Sequence, residues 1–307
     1  GGGGGGGLTR ASRNTFRRSK LVWCRTRFGV PARPDSVVMN RRIPITFCCA
    51  VLLTAGSGGS LHAACEFALQ GEGRVSGVLD IRTFRLGDGR EIRLAGIEPA
   101  GDIRARGKET LASLIDGRDV TLRSSDDGPD RYGRQHAFVF LKDLETPIQS
   151  ELLTRGEALA SPVTDRSCST ALLTAEAAAR AARRGIWASS AAIKNAESTD
   201  DILAGVGRFT VVEGTVSSAR LAGAVFYVNF GRRWTRDFAA TISRRMMPSL
   251  ESAGIDLKSL KNKRVRVRGW IEKRGGPRIE VTYAGQIELI AAADVAANGT
   301  MPRDEGK

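Results

Sequence analysis

The sequence predicts a mainly β chain with added helices (α+β), folded as two small β-barrels in tandem. Three observations lead there. Short alternating apolar–polar runs separated by turn residues dominate two stretches, residues 73–140 and 208–292. Each stretch places a helical run after its third strand-like run. Between them, residues 191–207 are rich in Ala, Ser, Asn, Asp and Gly and read as a linker.

In the first stretch, GRVSGVLD, RTFRL and REIRLAGI read as strands, with GDG at 87–89 as a hairpin turn. ARGKETLASLIDG reads as a helix ending at Gly117. DVTLRS is a strand, SDDGPD a loop and GRQHAFVFL another strand. TPIQSELLTRGEALA is helical to near Gly156, then briefly extended. The alanine-rich run up to Gly185 is a long helix with its arginines in water, and Trp187 packs back. Five strands with helices after the third and fifth outline an OB-type barrel. In the second stretch, GRFTVVEGTVSSARL, AVFYVNFG and DFAATIS read as strands, RRMMPSLESAGIDLKSL as an interrupted helix, and KRVRVRGWIE and PRIEVTYAGQIELI as closing strands. That order fits a second OB-type barrel over 208–292.

The chain has 307 residues and a net charge of +14. Residues 1–38 are basic and carry no apolar period, so they are read as an upstream extension. MNRR, then IPITFCCAVLLTAG, then SGGSLHAAC form a secretory signal peptide over 39–64, cut before Cys65 or one residue earlier. Residues 65–190 are then the first domain, and 293–307 a tail without a core pattern. This places the protein in the periplasm or outside the cell. Residues 65–204 hold 19 basic and 22 acidic residues, net −3, whereas 205–292 hold 16 and 7, net +9. The second module is therefore suited to an anionic partner. Beyond the signal only Cys65 and Cys168 remain, which in an exported chain suggests one disulfide. The single histidine left there, His136, excludes Cys/His zinc clusters and two-histidine nuclease chemistry.

Two arginines stand out. Arg93 lies in GREIRLAGIEP and Arg134 in PDRYGRQHAFVF, each in or beside a strand-like run with turn residues at hand. Two guanidiniums offered from neighbouring elements make a fork for a phosphodiester. His136 lies two residues beyond Arg134 on the same strand face, placed to touch a ligand or to make a structural hydrogen bond.

From Gly73 to Trp187 the chain resembles the thermonuclease (staphylococcal-nuclease-like) family. The landmarks are V-L-D-x-x-T at 78–83, R-L-A-G-I-E at 93–98, D-R-Y-G-R at 130–134 and A-E-A-x-x-x-A-x-x-x-G-I-W at 175–187. The resemblance implies an OB-type barrel that clamps a phosphodiester with two arginines and hydrolyses it with bound calcium. On it Arg93 and Arg134 match the family arginines, Tyr132 the tyrosine of Y-G-R, and Asp80 the first aspartate of D-G-D-T. Glu98 stands for the aspartate after R-L-x-G-I, one oxygen ligand for another.

Two departures concern the chemistry. The second aspartate of D-G-D-T, a calcium ligand, is Arg82 here. Where the family's D-x-P-E supplies a glutamate thought to act on the attacking water, this chain reads Glu98-Pro99-Ala100-Gly101-Asp102. A guanidinium in place of a carboxylate changes the local charge by two units, each worth roughly 4 kcal/mol at ~4 Å and an effective dielectric near 20. Arg82 either swings to solvent or replaces the ion as a phosphate ligand beside Arg93 and Arg134. Asp80 is either a metal ligand or a turn cap, and Glu98 either a metal ligand or the partner of Arg93.

In the second module, Lys263 to Arg268 alternates, with Val265 and Val267 inward and Arg264, Arg266 and Arg268 expected on one outward face. Arg232, Arg233, Trp234 and Arg236 form a basic cluster with an aromatic, and Trp234 and Trp270 are stacking candidates for single strands. The leading expectation is an exported nucleic-acid or polyanion binder with a degraded catalytic site. The alternatives are an active calcium nuclease using Asp80, Glu98 and Asp102 with the arginines as clamps, and an envelope scaffold.

Overall fold

The computed structural model describes residues 65, 67–100, 104–124, 128–142 and 144–290. The extension at 1–38, the signal peptide at 39–64, Asp102 and the tail at 293–307 lie outside the described residues.

The first barrel is built on one long strand, β1 (Ala68–Asp80), whose two halves serve different neighbours. Ala68 to Arg74 pairs antiparallel with β5 (Asp119–Ser124), and Val75 to Asp80 with β2 (Thr83–Leu86). With β3 (Glu91–Leu94) and β6 (Gln135–Leu141), paired in parallel, the sheet closes in the order β1-β2-β3-β6-β5. Phe84, Ile92, Leu122 and Val139 fill its interior. The expected REIRLAGI strand breaks at Gly96, giving a separate β4 (Ile97–Pro99). A Cβ on Gly96 would stand 2.6 Å from a Leu172 methyl, and φ there is +76°, so the turn requires glycine. Helices α1 (Arg104–Ile115) and α2 (Ile148–Thr154), strand β7 (Ala158–Ala160) on β4, and α3 (Arg166–Ala181) complete the unit. Gln149 fastens α2 to the barrel: its amide accepts from Val139 N (3.3 Å) and donates to Ala137 O (2.9 Å) and Ala95 O (3.2 Å). The disulfide between Cys65 and Cys168 ties the start of the described chain to α3, across 103 residues of sequence.

Gly156 and Gly185 press together where α2 and α3 end. Their φ angles are +71° and +56°, and a Cβ on Gly185 would lie 2.1 Å from the Gly156 carbonyl oxygen. Backbone cannot give way as a side-chain tip can. Gly185→Ala is expected to lower stability by more than the ~1–3 kcal/mol typical of a non-glycine residue forced into that region, read as a fall in thermal midpoint.

The linker expected at 191–207 is instead structured. Strand β8 (Ile193–Asn195) and helix α4 (Thr199–Leu203) belong to the second unit, with Ala196 and Ile202 buried in its core. Polar composition hid a segment that two apolar anchors suffice to hold. The sheet then runs through β9 (Phe209–Thr215), β10 (Ser218–Ala222), β11 (Val225–Asn229), β12 (Ala239–Ser243), the short helix α5 (Met247–Ser252), β13 (Arg264–Arg274), β14 (Gly276–Val281) and β15 (Ile287–Leu289).

Its order is β10-β11-β12-β14-β13-β9-β8, with β12 and β14 parallel and β15 on β13. Apart from β8 and β15, this repeats the order of the first barrel, with β9 and β10 standing where the two halves of β1 stand. The strand is broken between them: Val216 N donates to Lys263 O on the β13 side, and Ser217 N to Asn229 O at the end of β11. At this bend the chain thus passes from the β13 side to β11, as β1 passes from β5 to β2.

β13 corrects a second expectation. Arg266 and Arg268 do not face water; they are 5 % and 1 % exposed. Alternation placed them on the face opposite Val265 and Val267, correctly, but that face is covered by α3 and β7 of the first unit. Arg268 Nη1 donates to both Glu176 carboxylate oxygens (2.9 and 2.8 Å) and to Ala160 O (3.2 Å), and its Nη2 pairs with Glu288. Arg266 bridges Glu213 (2.8 Å) and Glu288 (3.2 Å), and the more exposed Arg264 pairs with Glu213 (2.7 Å). On α3, Arg180 is held by Glu176 (3.1 Å) and by the Trp187 ring rather than standing in water. Arg264, Arg266 and Arg268 thus neutralise glutamates at or near the junction of the two units.

Candidate functional site

A cleft of about 780 Å³ opens between the two units. Its first wall is made at the end of β1 and the turn after it. Asp80 Oδ1 accepts the Arg82 backbone N–H (2.8 Å), an Asx turn that caps the strand. Ile81 is buried against Gly107 of α1, where a Cβ would come within 2.2 Å of its δ-methyl. The Arg82 carbonyl accepts Leu94 N (2.7 Å), fastening the turn to β3.

So anchored, Arg82 does not swing to solvent. Its guanidinium forms an ion pair with Glu98 of β4, with side-chain exposures of 12 % and 13 %. Glu98 therefore receives Arg82, not Arg93. Burial pushes the Glu98 carboxyl up, and the Arg82 charge and hydrogen bond only partly offset this. The two carboxylates first read as calcium ligands are both engaged: Asp80 by the backbone of its own turn, Glu98 by a guanidinium. As they stand they do not fit calcium, which needs several oxygens free to face one point. Among the described residues no group of three or more His, Cys, Asp and Glu is placed to hold a metal ion.

Arg93 sits between Ile92 and Leu94, which point into the barrel, so its own side chain points out. It lies in register with Thr83 and His136 and lines the cleft with Asp80, Arg82 and Glu98. No described residue makes an ion pair with it. Arg134 is placed differently. The loop before β6 is a tight turn with Gly133 at φ +78°, in which Asp130 Oδ1 accepts the N–H groups of Tyr132 (2.9 Å) and Arg134 (3.0 Å). Asp130 Oδ2 accepts Arg134 Nε (2.9 Å) and Nη2 (2.7 Å). These bonds, the Arg134 side chain first, hold the Asp130 carboxyl far below the usual carboxylate range. Tyr132 stands exposed with the guanidiniums of Arg131 and Arg134 each 4.8 Å from its ring centre. His136 Nε2 lies 3.6 Å from Asp130 Oδ2.

Sequence spacing suggested a symmetric fork, and the structure separates its prongs. Arg93 lines the cleft and makes no ion pair with a described residue. Arg134 does not line it and is oriented by Asp130, with His136 between them in register. Asp130 was not singled out from the sequence; an aspartate four residues ahead of an arginine across a D-x-x-G turn is the signal that was there to read.

The second wall comes from residues that sequence reasoning largely passed over: Lys194, Asp201, Arg208, Phe209 and Trp270. Trp270 is 47 % exposed and edge-on to Phe209 with ring centres 6.0 Å apart. Lys194 is paired with Asp201 (2.7 Å). The cluster of Arg232, Arg233, Trp234 and Arg236 lies elsewhere, on an exposed loop between β11 and β12. Asp237 shapes that loop by accepting Arg233 N (2.8 Å).

Comparison with protein families matches residues 101–189 to the model described as Staphylococcal nuclease homologue. The match takes in Asp130, Tyr132, Arg134 and Trp187, and begins after Asp80, Arg82, Arg93 and Glu98. No curated protein matches the chain.

Proposed function

Because the chain carries a staphylococcal nuclease homologue domain, we propose that it binds a nucleic acid or similar phosphodiester polymer through Arg93, at a site whose catalytic and calcium-binding part is degraded. One observation carries this reading: the cleft offers an Arg93 guanidinium that makes no ion pair with a described residue, beside a carboxylate, Glu98, already neutralised by Arg82. Such a site attracts a phosphate, and of the two described carboxylates beside Arg93, Glu98 is taken up by Arg82 and Asp80 accepts the N–H of its own turn. Arg134, aligned by Asp130, and Tyr132 extend the phosphate-binding surface along the strand that carries His136. The exposed Arg232, Arg233, Trp234 and Arg236 give a second contact for a long strand.

The protein works outside the cytoplasm. The Cys65–Cys168 disulfide supports this, since such bonds persist in oxidising compartments. No helix among the described residues is long and apolar enough to cross a membrane.

Binding of a labelled single strand to the full chain, followed by anisotropy across a salt series with chelator present, tests the proposal. Affinity is expected to fall steeply with salt. Arg93→Ala weakens it by about 10- to 150-fold, the range of a charged hydrogen bond, and flattens the salt slope by about one unit. Arg134→Ala has a smaller effect. Salt-insensitive binding, or none, contradicts the proposal.

A further inference from the structure

Resting on that reading, we propose that the second unit completes the site: Trp270 is a stacking platform for an unpaired base, and Arg208 a second phosphate contact, so the cleft selects single strands over duplex. Four observations support this. The cleft's volume, about 780 Å³, falls within the range usual for ligand sites, roughly 300–1,000 Å³. Arg82 and Arg93 line one wall, and Arg208 lines the other with the rings of Phe209 and Trp270.

The charge balance favours an anion. Glu98 is neutralised by Arg82 and Asp201 by Lys194, which leaves Arg93 and Arg208 against Asp80 alone. Arg208 is exposed and makes no ion pair with a described residue. Its backbone is nonetheless fixed: Ile271 N donates to Arg208 O (3.0 Å), which sets it beside Trp270.

Trp270 itself is poised. A large ring left 47 % exposed within β13, where Phe209 opposite is 7 % exposed, is not serving the core. The edge-on contact with Phe209 fixes its plane. An aromatic face beside two guanidiniums that make no ion pair with a described residue is the pairing that single-strand sites use, since stacking needs a base free of its complement. The rigid junction built on Arg268 and Glu176 holds the two walls at a fixed separation.

The test uses the full chain with chelator, a short labelled thymidylate strand, and the same strand annealed to its complement. Trp270→Ala is expected to weaken single-strand binding by about 5- to 150-fold, the range set by base–aromatic stacking, while duplex binding stays within twofold. Trp270→Phe retains most of the affinity, which separates stacking from loss of fold. Arg208→Ala, on an exposed side chain, lowers affinity and flattens the salt slope. Unchanged single-strand affinity in both Trp270→Ala and Arg208→Ala overturns the inference, and if Arg93→Ala still abolishes binding, the proposed function survives it. Loss of affinity in Trp270→Ala without any in Arg93→Ala sinks the arginine site instead. No binding by the unmodified chain overturns both.

Discussion

Arg268→Met is expected to lower the free energy of unfolding by about 3–5 kcal/mol, the cost of leaving a buried charge without its partner. Arg268 is 1 % exposed and Glu176 is fully buried. Burial would push the arginine down, but Glu176 and Glu288 outweigh it and hold the guanidinium charged. With methionine in its place, Glu176 keeps only Arg180 and the Ala160 N–H. The double variant Glu176→Leu/Arg268→Met should recover a large part of the loss, because neither charge is then stranded. Urea unfolding of the three proteins checks this; a single-variant loss under about 1 kcal/mol would show that the junction is held by something else.

The same network sets the acid limit. Burial pushes Glu288 up, but Arg268, Arg266 and Arg180 together bring it below its ordinary value of 4.5. A carboxyl with a lowered folded value stabilises the fold fully above its unfolded value and loses that contribution as pH falls through the folded one. Stability should therefore decline below about pH 4.5, and the decline should be shallower in Arg268→Met.

Arg82→Asp is expected to create calcium affinity that the unmodified chain lacks. It removes the guanidinium from Glu98 and brings a third carboxylate beside Asp80 and Glu98. Without metal the variant is less stable, since Glu98, already pushed up by burial, loses its cation and gains a like charge. With calcium bound at roughly 0.1–1 mM, a concentration of about 10 mM returns about 1.4–2.7 kcal/mol. Thermal midpoints with calcium and with chelator measure it: a calcium-dependent rise in the variant alone is the expected result. An equal rise in the unmodified chain means that Arg82 leaves the site when metal is offered.

Much of this was legible in the residues, for identifiable reasons. The GDG turn and the alternation of Ile92, Arg93 and Leu94 are local signals, and each held in the structure. Glycines at 156 and 185 marked helix ends because their conformation demands it. What failed to show was long-range. Alternation reports two faces of β13 but not what lies on them, so Arg266 and Arg268 read as exposed until α3 was seen to cover them. The pairing of Glu98 with Arg82 instead of Arg93 depends on a turn anchored by Ile81 under a helix. Residues 191–207 looked like a linker because two buried apolar residues leave little trace in a polar run. The sequence reads GRFTVVEGTVSSARL as one strand, and the break between β9 and β10 at Val216 and Ser217 left no signal in it.

The central claim is that the site holds a phosphodiester without cutting it. The most direct measurement is a cleavage assay on the full chain with single- and double-stranded DNA and RNA, in calcium and in chelator, with Arg93→Ala alongside. The expected result is intact substrate under every condition, together with salt-sensitive binding that Arg93→Ala weakens. Calcium-dependent cleavage that Arg93→Ala abolishes would contradict the account and make this chain a working nuclease with a rebuilt metal site.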